Sequence, residues 1–381
     1  MRWQMFKQPL VWLVVATGTL VAFTATAILQ RKSGHLFEHT RDFPEIVHLV
    51  EQAYVDEVDM VHMMPGAYQG VLSSIDENAS YIPPGLDPDS HEEQVYLKSG
   101  MVLFKNNSYA YALAVETNSP AFLAGIRRGS YLYKIEGQST RQMSLHQIQR
   151  SFTEREKEIT LTVMLPDQSE ETSITLRFGP FEPSKLCYSQ PEAGISLIAI
   201  PCFYEGLAHD LKNALAKVHG GKLLLDLRNN ARGGDDDLRL LASFFLPKGK
   251  LAAWTDADHN RTAVLNPKAG TFQGSSLFIL LGPSTSFAAE AFCAIAQERG
   301  SARILGRASL GYPSQYETFA LKVGGHIQLP TRSMTLNSGQ SLTRKGIVPD
   351  NKIEIKEFEE TDLMLERVLE IVAGDALEKA G

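Results

Sequence analysis

Three neighbouring hydroxyl side chains, Ser284, Thr285 and Ser286, follow the apolar run 279–281 and precede a helix-forming stretch that begins at Phe287. A hydroxyl at the turn between a strand and a helix can act as a nucleophile when a general base lies within hydrogen-bonding reach. The sequence identifies no such base beside Ser284 or Thr285. A serine directly before a helix also caps it, and such a cap contributes about 1 kcal/mol. The residue pattern by itself therefore favours turn and capping roles for all three.

Histidine and cysteine side chains form no metal site that the sequence reveals, and we expect no metal and no cofactor. His35 and His39 have the i, i+4 spacing of a ligand pair, but no third ligand stands beside them, which favours solvated surface histidines. Cys187, Cys202 and Cys293 are too few and too scattered for a disulfide framework. Because spacing does not supply disulfide geometry, a Cys187–Cys202 bond in an oxidising compartment stays open.

A sheet covered by helices would position the turn formed by residues 284–286, hereafter the hydroxyl turn. From Gly194 onward, short apolar runs alternate with amphipathic stretches, a pattern typical of strands joined by crossover helices. We therefore assign residues 181–381 to an α/β core of alternating strands and helices. The predicted elements are the strands 195–200, 223–227 and 277–281, and the helices 207–218, 236–245, 287–299 and 362–372.

Two smaller regions precede this core, so the predicted fold class is α+β and multidomain. Apolar residues at helical spacing, such as Phe43, Ile46 and Val50, predict a helical region over residues 33–90, which ends in a linker rich in proline. Residues 91–180 form a predicted β/α domain. Its strand signals are 109–115, 131–135 and 159–165, with a helical period over 144–152.

The first 32 residues read as a membrane helix or a signal peptide. From Gln8 to Gln30 no residue is charged, and a run of this length suffices to cross a bilayer as a helix. Arg2 and Lys7 favour a cytoplasmic N-terminus, which places the rest of the chain outside the cytoplasm. The small residues 25–27 would suit a signal peptidase, so a cleaved signal peptide is the competing interpretation. In both cases we expect the remainder to be exported, and with the anchor retained we expect it at the extracytoplasmic, periplasmic face of a bacterial inner membrane.

Length and charge limit the classes of partner. With 381 residues, of which 44% are apolar, the chain can bury two or three domain cores. The formal net charge of -7 and the absence of clustered Lys and Arg exclude the basic surface of a nucleic-acid-binding protein. Polypeptides and the membrane remain as the expected partners.

The segment from Asn118 to Gly137 closely resembles part of a PDZ domain. Its first residues start a helical turn, and Gly129 turns the chain into the strand 131–135. PDZ domains bind a peptide as an added strand and hold its C-terminal carboxylate on backbone N–H groups of a loop. The resemblance places that peptide-binding loop at Ser99, Gly100, Met101 and Val102.

Further stretches resemble the C-terminal processing, or tail-specific, serine peptidases. They are 53–59 with 74–84, 222–234 and 345–350, and they follow the order of that family. In the family, a serine attacks the peptide carbonyl and a neutral lysine, whose pKa burial lowers, takes the serine proton. The resemblance also implies amide donors for the oxyanion at Gly233 and Gly234.

Glu290 fixes the register of the resemblance. The family places a glutamate three residues after the nucleophile, so the nucleophile position falls on Phe287, and the lysine position falls on Tyr312, 25 residues later. A phenyl ring cannot attack a carbonyl, and a phenol stays protonated near neutral pH. Ser286 lies one position out of register, and a misplacement of about 1 Å can already cost about 100-fold in rate. The resemblance therefore implies a degenerate, pseudoenzyme-like member without an intact catalytic pair.

Three functional interpretations follow from the sequence. The first is an exported, membrane-anchored protein that binds polypeptide C-termini or a partner protein without cleaving them. The second is an active serine endopeptidase with a rearranged site that uses Ser286. The third is a non-catalytic subunit that pairs with an active paralogue, and nothing in the sequence separates it from the first.

Overall fold

The structure is a computed structural model that describes residues 42–166, 168–219, 221–268, 270–272, 276–311, 314–342, 346–354 and 362–378. The predicted membrane-targeting segment at 1–32 and the predicted base position Tyr312 lie outside these residues. Contacts divide the chain into one unit that ends at Met64 and a second that begins at Pro65. No helix within the described ranges has the length and apolar content needed to cross a bilayer.

Two helices confirm the helical character predicted ahead of the proline-rich linker: α1 (Asp42–Ala53) and α2 (Met60–Ile75). Asp59 precedes α2, and its carboxylate accepts a hydrogen bond from the Val61 amide at 2.9 Å. A side-chain acceptor at this position satisfies one of the free N–H groups with which every helix begins.

Residues 92–177, hereafter the module, contain a six-stranded antiparallel sheet and its own core. The strands lie in the order β2-β3-β4-β6-β7, and β5 pairs with β4. In β6 every second residue, from Ile159 to Val163, is fully buried, as the predicted alternation requires. The elements are α3 (Glu92–Ser99), β2 (Met101–Asn106), β3 (Tyr109–Val115), α4 (Pro120–Leu123), β4 (Tyr131–Ile135), β5 (Gln138–Ser139), α5 (Leu145–Thr153), β6 (Glu158–Met164) and β7 (Glu171–Arg177).

The predicted α/β core is a second six-stranded sheet, in the order β17-β14-β13-β10-β9-β8. All its neighbouring strands are parallel except β8 and β9. Leu223 and Leu225 of β10 face one apolar layer, whereas Leu224 faces the layer that packs against the C-terminal helix. Burial on both faces explains why these strands are apolar throughout. The elements are β8 (Cys187–Glu192), β9 (Ile195–Ala199), α6 (Leu207–Leu215), β10 (Lys222–Asp226), α7 (Asp235–Phe245), β13 (Ser276–Leu281), α8 (Phe287–Glu298), β14 (Arg303–Gly306), β17 (Asn351–Lys352) and α9 (Leu363–Glu378).

A third sheet was not expected from the sequence. It has the order β1-β16-β11-β12, with β15 beside β16. Its strand β1 precedes the module, yet Ser80 of β1 pairs with Gln328 of β16. The strands are β1 (Ser80–Ile82), β11 (Gly249–Asp256), β12 (Arg261–Asn266), β15 (Ser314–Ala320) and β16 (His326–Thr335).

Candidate functional site

The hydroxyl turn lies where β13 passes into α8, at the carboxyl end of the parallel sheet. The Thr285 hydroxyl accepts a hydrogen bond from the Gly282 amide at 3.0 Å and donates one to the Leu227 carbonyl at 2.8 Å. The Ser286 amide donates to the Asn230 carbonyl at 2.9 Å. The turn after β13 is therefore fixed against the loop that follows β10, the arrangement that brings two loops of an α/β sheet into one site.

Phe287 is the first residue of α8 and has a φ of 48°. A residue with a Cβ pays about 1–2 kcal/mol in this left-handed conformation, and such strain persists where the surrounding structure imposes it, commonly at functional sites. The nucleophile position of the resemblance thus coincides with a strained turn into a helix. It carries a phenyl ring, which packs against Phe104 with ring centroids 5.7 Å apart.

Ser286 is only 1% exposed and has an extended backbone with a φ of −143°. Its hydroxyl does not cap α8 and has no hydrogen-bond partner within the described residues. The capping interpretation of Ser286 is therefore wrong, because the left-handed Phe287 interrupts the regular start of the helix. The structure also places no general base within hydrogen-bonding distance of this hydroxyl among the described residues.

The two glycines predicted to hold an oxyanion lie at the start of α7. Gly233 has a φ of 106°, and a Cβ on it would lie 2.6 Å from the Phe203 ring, so only glycine fits. The Gly234 amide donates to the Asp237 carboxylate at 2.9 Å. One predicted donor is therefore already used, and a negative group stands where an oxyanion would be stabilised.

A cavity of about 270 Å³ lies between the first turn of α8 and the loop that contains Gly233 and Gly234. Its walls are mainly apolar, with Phe287 beside Ala288 and Ala291 of α8. Asp235 lines it as well, and its carboxylate accepts a hydrogen bond from the Trp254 ring nitrogen at 3.0 Å. The remaining walls are formed by Gly233, Gly234, Leu238, Trp254, Ser314, Gln315 and Met334.

Glu290 connects α8 to the segment that leads towards position 312. Its carboxylate accepts hydrogen bonds from the Ser309 hydroxyl at 2.5 Å and from the Gly311 amide at 2.9 Å. The Ser309 hydroxyl accepts another from the Ile347 amide at 2.8 Å, so the 345–350 stretch joins the same network. The sequence singled out Glu290, because that residue aligns the chain with the family pattern, but it gave no signal for Ser309.

A buried lysine was not singled out from the sequence. Lys105 of β2 is 3% exposed, and burial lowers the pKa of its ammonium group. Its Nζ donates to the Met143 carbonyl at 2.7 Å and to the Arg141 carbonyl at 3.5 Å. Lys105 thus satisfies carbonyls of the module and has no hydrogen bond to Ser286.

The predicted peptide-binding loop, Ser99 to Val102, is buried along its whole length. The Gly100 amide donates to the Tyr96 carbonyl at 2.7 Å, and the Met101 amide donates to the Ser99 hydroxyl at 3.2 Å. Both amides therefore already have acceptors in α3.

The two cysteines considered for a disulfide carry free thiols. Cys187 is exposed and Cys202 is buried. Burial, followed by the charge of Glu116, raises the pKa of Cys202 to about 11. Its thiol is therefore protonated near neutral pH and is not an alternative nucleophile.

Part of the chain matches a known protein family, and nearly the whole chain is similar to curated proteins. Residues 194–353 match the family described as Peptidase family S41. A probable CtpA-like serine protease of Staphylococcus aureus (strain COL) is 23% identical over 375 residues, covering 95% of this chain and 75% of the relative. That of Staphylococcus saprophyticus subsp. saprophyticus is 22% identical over 354 residues, covering 90% of this chain and 71% of the relative.

One solved structure supports the same fold. The photosystem II D1 C-terminal processing protease aligns with a TM-score of 0.66 and 18% identity, over 83% of this chain and 88% of that chain. Residues 194–353 are therefore similar to Peptidase family S41, the chain is similar in sequence to CtpA-like serine proteases, and its fold resembles that of a C-terminal processing protease.

Proposed function

We propose that this chain is a non-catalytic relative of the C-terminal processing peptidases that binds polypeptide tails or a partner protein. The observation that carries the proposal is Phe287 at the strained first position of α8, where the resemblance requires a nucleophile. A phenyl ring has no group that can attack a carbonyl. The loss of Ser and Lys from the positions of Phe287 and Tyr312 removes both the nucleophile and its base.

The cavity beside Phe287 supports polypeptide binding. Its volume of about 270 Å³ suits one or two apolar side chains rather than a large cofactor. Burying an apolar side chain in such a cavity contributes about 1.5–3 kcal/mol. Polypeptides that end in small apolar residues are therefore the expected ligands.

Binding without cleavage is tested with the full chain and a fluorescent, unstructured polypeptide that ends in small apolar residues. We expect an increase in anisotropy on binding, while the polypeptide keeps its mass through a long incubation. Gln315→Trp, which fills the cavity from β15, should weaken the affinity about tenfold or more. Thr318→Trp is the matched control, because Thr318 is exposed on the same strand and does not line the cavity. Equal affinities for both variants would refute the cavity as the binding site.

The alternative of an active peptidase that uses Ser286 gives a different result. A serine nucleophile would react with a fluorophosphonate, and the label would disappear in Ser286→Ala. We expect no label on the wild-type chain, because Ser286 is 1% exposed and its hydroxyl has no base partner among the described residues. Labelling that depends on Ser286, or cleavage of the polypeptide, would overturn the non-catalytic proposal.

We also propose that residues 1–32 hold the chain at the extracytoplasmic face of a membrane. The uncharged run from Gln8 to Gln30, preceded by Arg2 and Lys7, supports this location.

A further inference from the structure

We propose that the residues in place of the catalytic turn form a permanent joint, which fastens the module to the α/β core. The joint is defined by Phe287, Arg232, Ser284 and Asn229 of the core and by their partners in the module. The proposal does not depend on polypeptide binding. It gives Phe287 a structural role at the position where the resemblance requires a nucleophile.

Phe287 is the apolar centre of the joint. Its ring packs on Phe104 of β2, with a centroid separation of 5.7 Å and an angle of 51° between the rings. Phe104 is 4% exposed and belongs to a buried cluster that also contains Leu113 of β3 and Ala231 of the core. An aromatic pair of this kind stabilises the contact beyond the area that it buries. The side chain at the former nucleophile position therefore contributes to a small core shared by the module and the sheet.

A buried hydrogen bond lies beside this cluster. The Ser284 hydroxyl donates to the Leu113 carbonyl of β3 at 2.6 Å, and both residues are buried. A buried carbonyl that loses its donor is left unsatisfied, which destabilises the folded state. Ser284 thus holds the hydroxyl turn against the module. Its side chain has a structural role beyond that of a turn residue.

Arg232 provides the charged part of the joint. Its guanidinium carbon lies 3.9 Å from the centroid of the Tyr96 ring in α3, and it forms an ion pair with Glu93 of the same helix. Tyr96 in turn donates a hydrogen bond from its hydroxyl to Glu116 at 3.1 Å. Arg232 lies in the loop between β10 and α7, so this loop contributes a charged contact with the module.

A second arginine makes the reciprocal contact. Arg128 of the module donates to the side-chain oxygen of Asn229 at 2.6 Å, three residues before Arg232 in the core loop. An arginine therefore reaches across the joint from each side. β2, which carries Phe104, is the edge strand of the module sheet.

Through the joint, Phe287 fixes the position of the module on the α/β core. A serine in place of Phe287 would leave a space beside Phe104 and place a hydroxyl against apolar side chains. Restoring the nucleophile alone is therefore expected to loosen the module instead of restoring hydrolysis.

The test is calorimetry of the full chain together with amide hydrogen exchange, both without ligand. The wild-type module and core should melt in one transition. Phe287→Ala and Arg232→Gln should each separate an earlier transition of the module and accelerate exchange in β2 and β3 about 10- to 100-fold, with β9 and β10 unchanged.

Matched controls separate the joint from general destabilisation. Phe319→Ala removes an aromatic ring that is 42% exposed on β15, and Arg239→Gln removes an arginine whose ion pairs lie within α7. Neither should separate the transitions. If Phe287→Ala fails to fold, Phe287→Leu and Arg232→Gln are compared instead. Two transitions in the wild-type chain, or equal effects of joint and control variants, would overturn the proposal without affecting the test of polypeptide binding.

Discussion

Ser286 and Thr285 are adjacent hydroxyl residues whose hydrogen bonds differ completely. Both are buried, but Thr285 makes two side-chain hydrogen bonds and the Ser286 hydroxyl makes none within the described residues. The sequence could not distinguish them, because each stands in the same short turn. The left-handed φ at Phe287 decides which hydroxyl reaches a partner, and no residue-type preference would place a phenylalanine there.

Substitutions in this pair should have opposite consequences for stability. Ser286→Ala removes a buried hydroxyl without a partner, so we expect the free energy of unfolding to stay constant or rise by up to about 1 kcal/mol. Thr285→Val leaves the Gly282 amide and the Leu227 carbonyl unsatisfied, which should cost about 1–3 kcal/mol. Urea unfolding of both variants measures the difference. A larger loss in Ser286→Ala than in Thr285→Val would show that the Ser286 hydroxyl has a partner after all.

At the scale of elements, helix α9 is held on the sheet by an ion pair as well as by its apolar face. Arg228, which follows β10, donates two hydrogen bonds of 2.6 Å to Asp362 and also binds Asp226 at 2.7 Å. Burial alone would raise the pKa of Asp362, but the hydrogen bond and the charge of Arg228 outweigh it and lower that pKa. The folded state therefore favours the charged form of this carboxyl.

The stabilisation from Asp362 should be complete above the ordinary carboxyl pKa of about 3.9 and should be lost as the pH falls through the lower folded value. Asp362→Asn should consequently be less stable than the wild type at pH 7 and lose less stability between pH 5 and pH 3. The effect should be modest, because the side chain is 47% exposed and solvent screens the pair. Unfolding midpoints at both pH values measure it, with Asp236→Asn as the control, since Asp236 is 99% exposed. Parallel pH curves for wild type and Asp362→Asn would contradict the assignment.

The strand and helix pattern of the core and the module was predictable, because its signals are local. The strands Tyr109–Val115 and Tyr131–Ile135 have the predicted bounds, and the helix that begins at Phe287 starts at the predicted residue. The third sheet was missed because its pairs are distant in sequence, as for Ser80 and Gln328. Short strands such as β1 carry no periodicity from which a partner could be inferred.

At the scale of the whole molecule, the N-terminal segment should decide where the protein resides. We expect the full chain to sediment with membranes and to resist extraction by high salt, whereas a chain that starts after residue 32 should be released. Fractionation followed by alkaline carbonate and detergent extraction measures this. Recovery of an intact full chain in the soluble fraction would contradict the anchor, and a shortened chain outside the membrane would favour the cleaved signal peptide.

The contacts of Phe287 and Arg232 depend on how the module packs against the α/β core, and the local sequence motif does not determine them. Register counting assigned the nucleophile position to Phe287 and the oxyanion donors to Gly233 and Gly234, and these residues line one cavity. It could not reveal that Phe287 touches Phe104 of the module or that Arg232 reaches α3, since both contacts need the packed positions of two sheets. Local sequence therefore suffices to assign these positions, whereas only long-range packing shows what Phe287 and Arg232 contact.

The hydrogen bond from Gly234 to Asp237 has a consequence for chemical profiling. Boronic acids and other reagents that imitate a tetrahedral adduct are stabilised by unoccupied amide donors and disfavoured by a neighbouring anion. Here the amide is engaged by a carboxylate at 2.9 Å. A survey of hydrolases with such reagents would pass over this protein even in cells that make it abundantly, so its amount has to be followed by antibody or by mass.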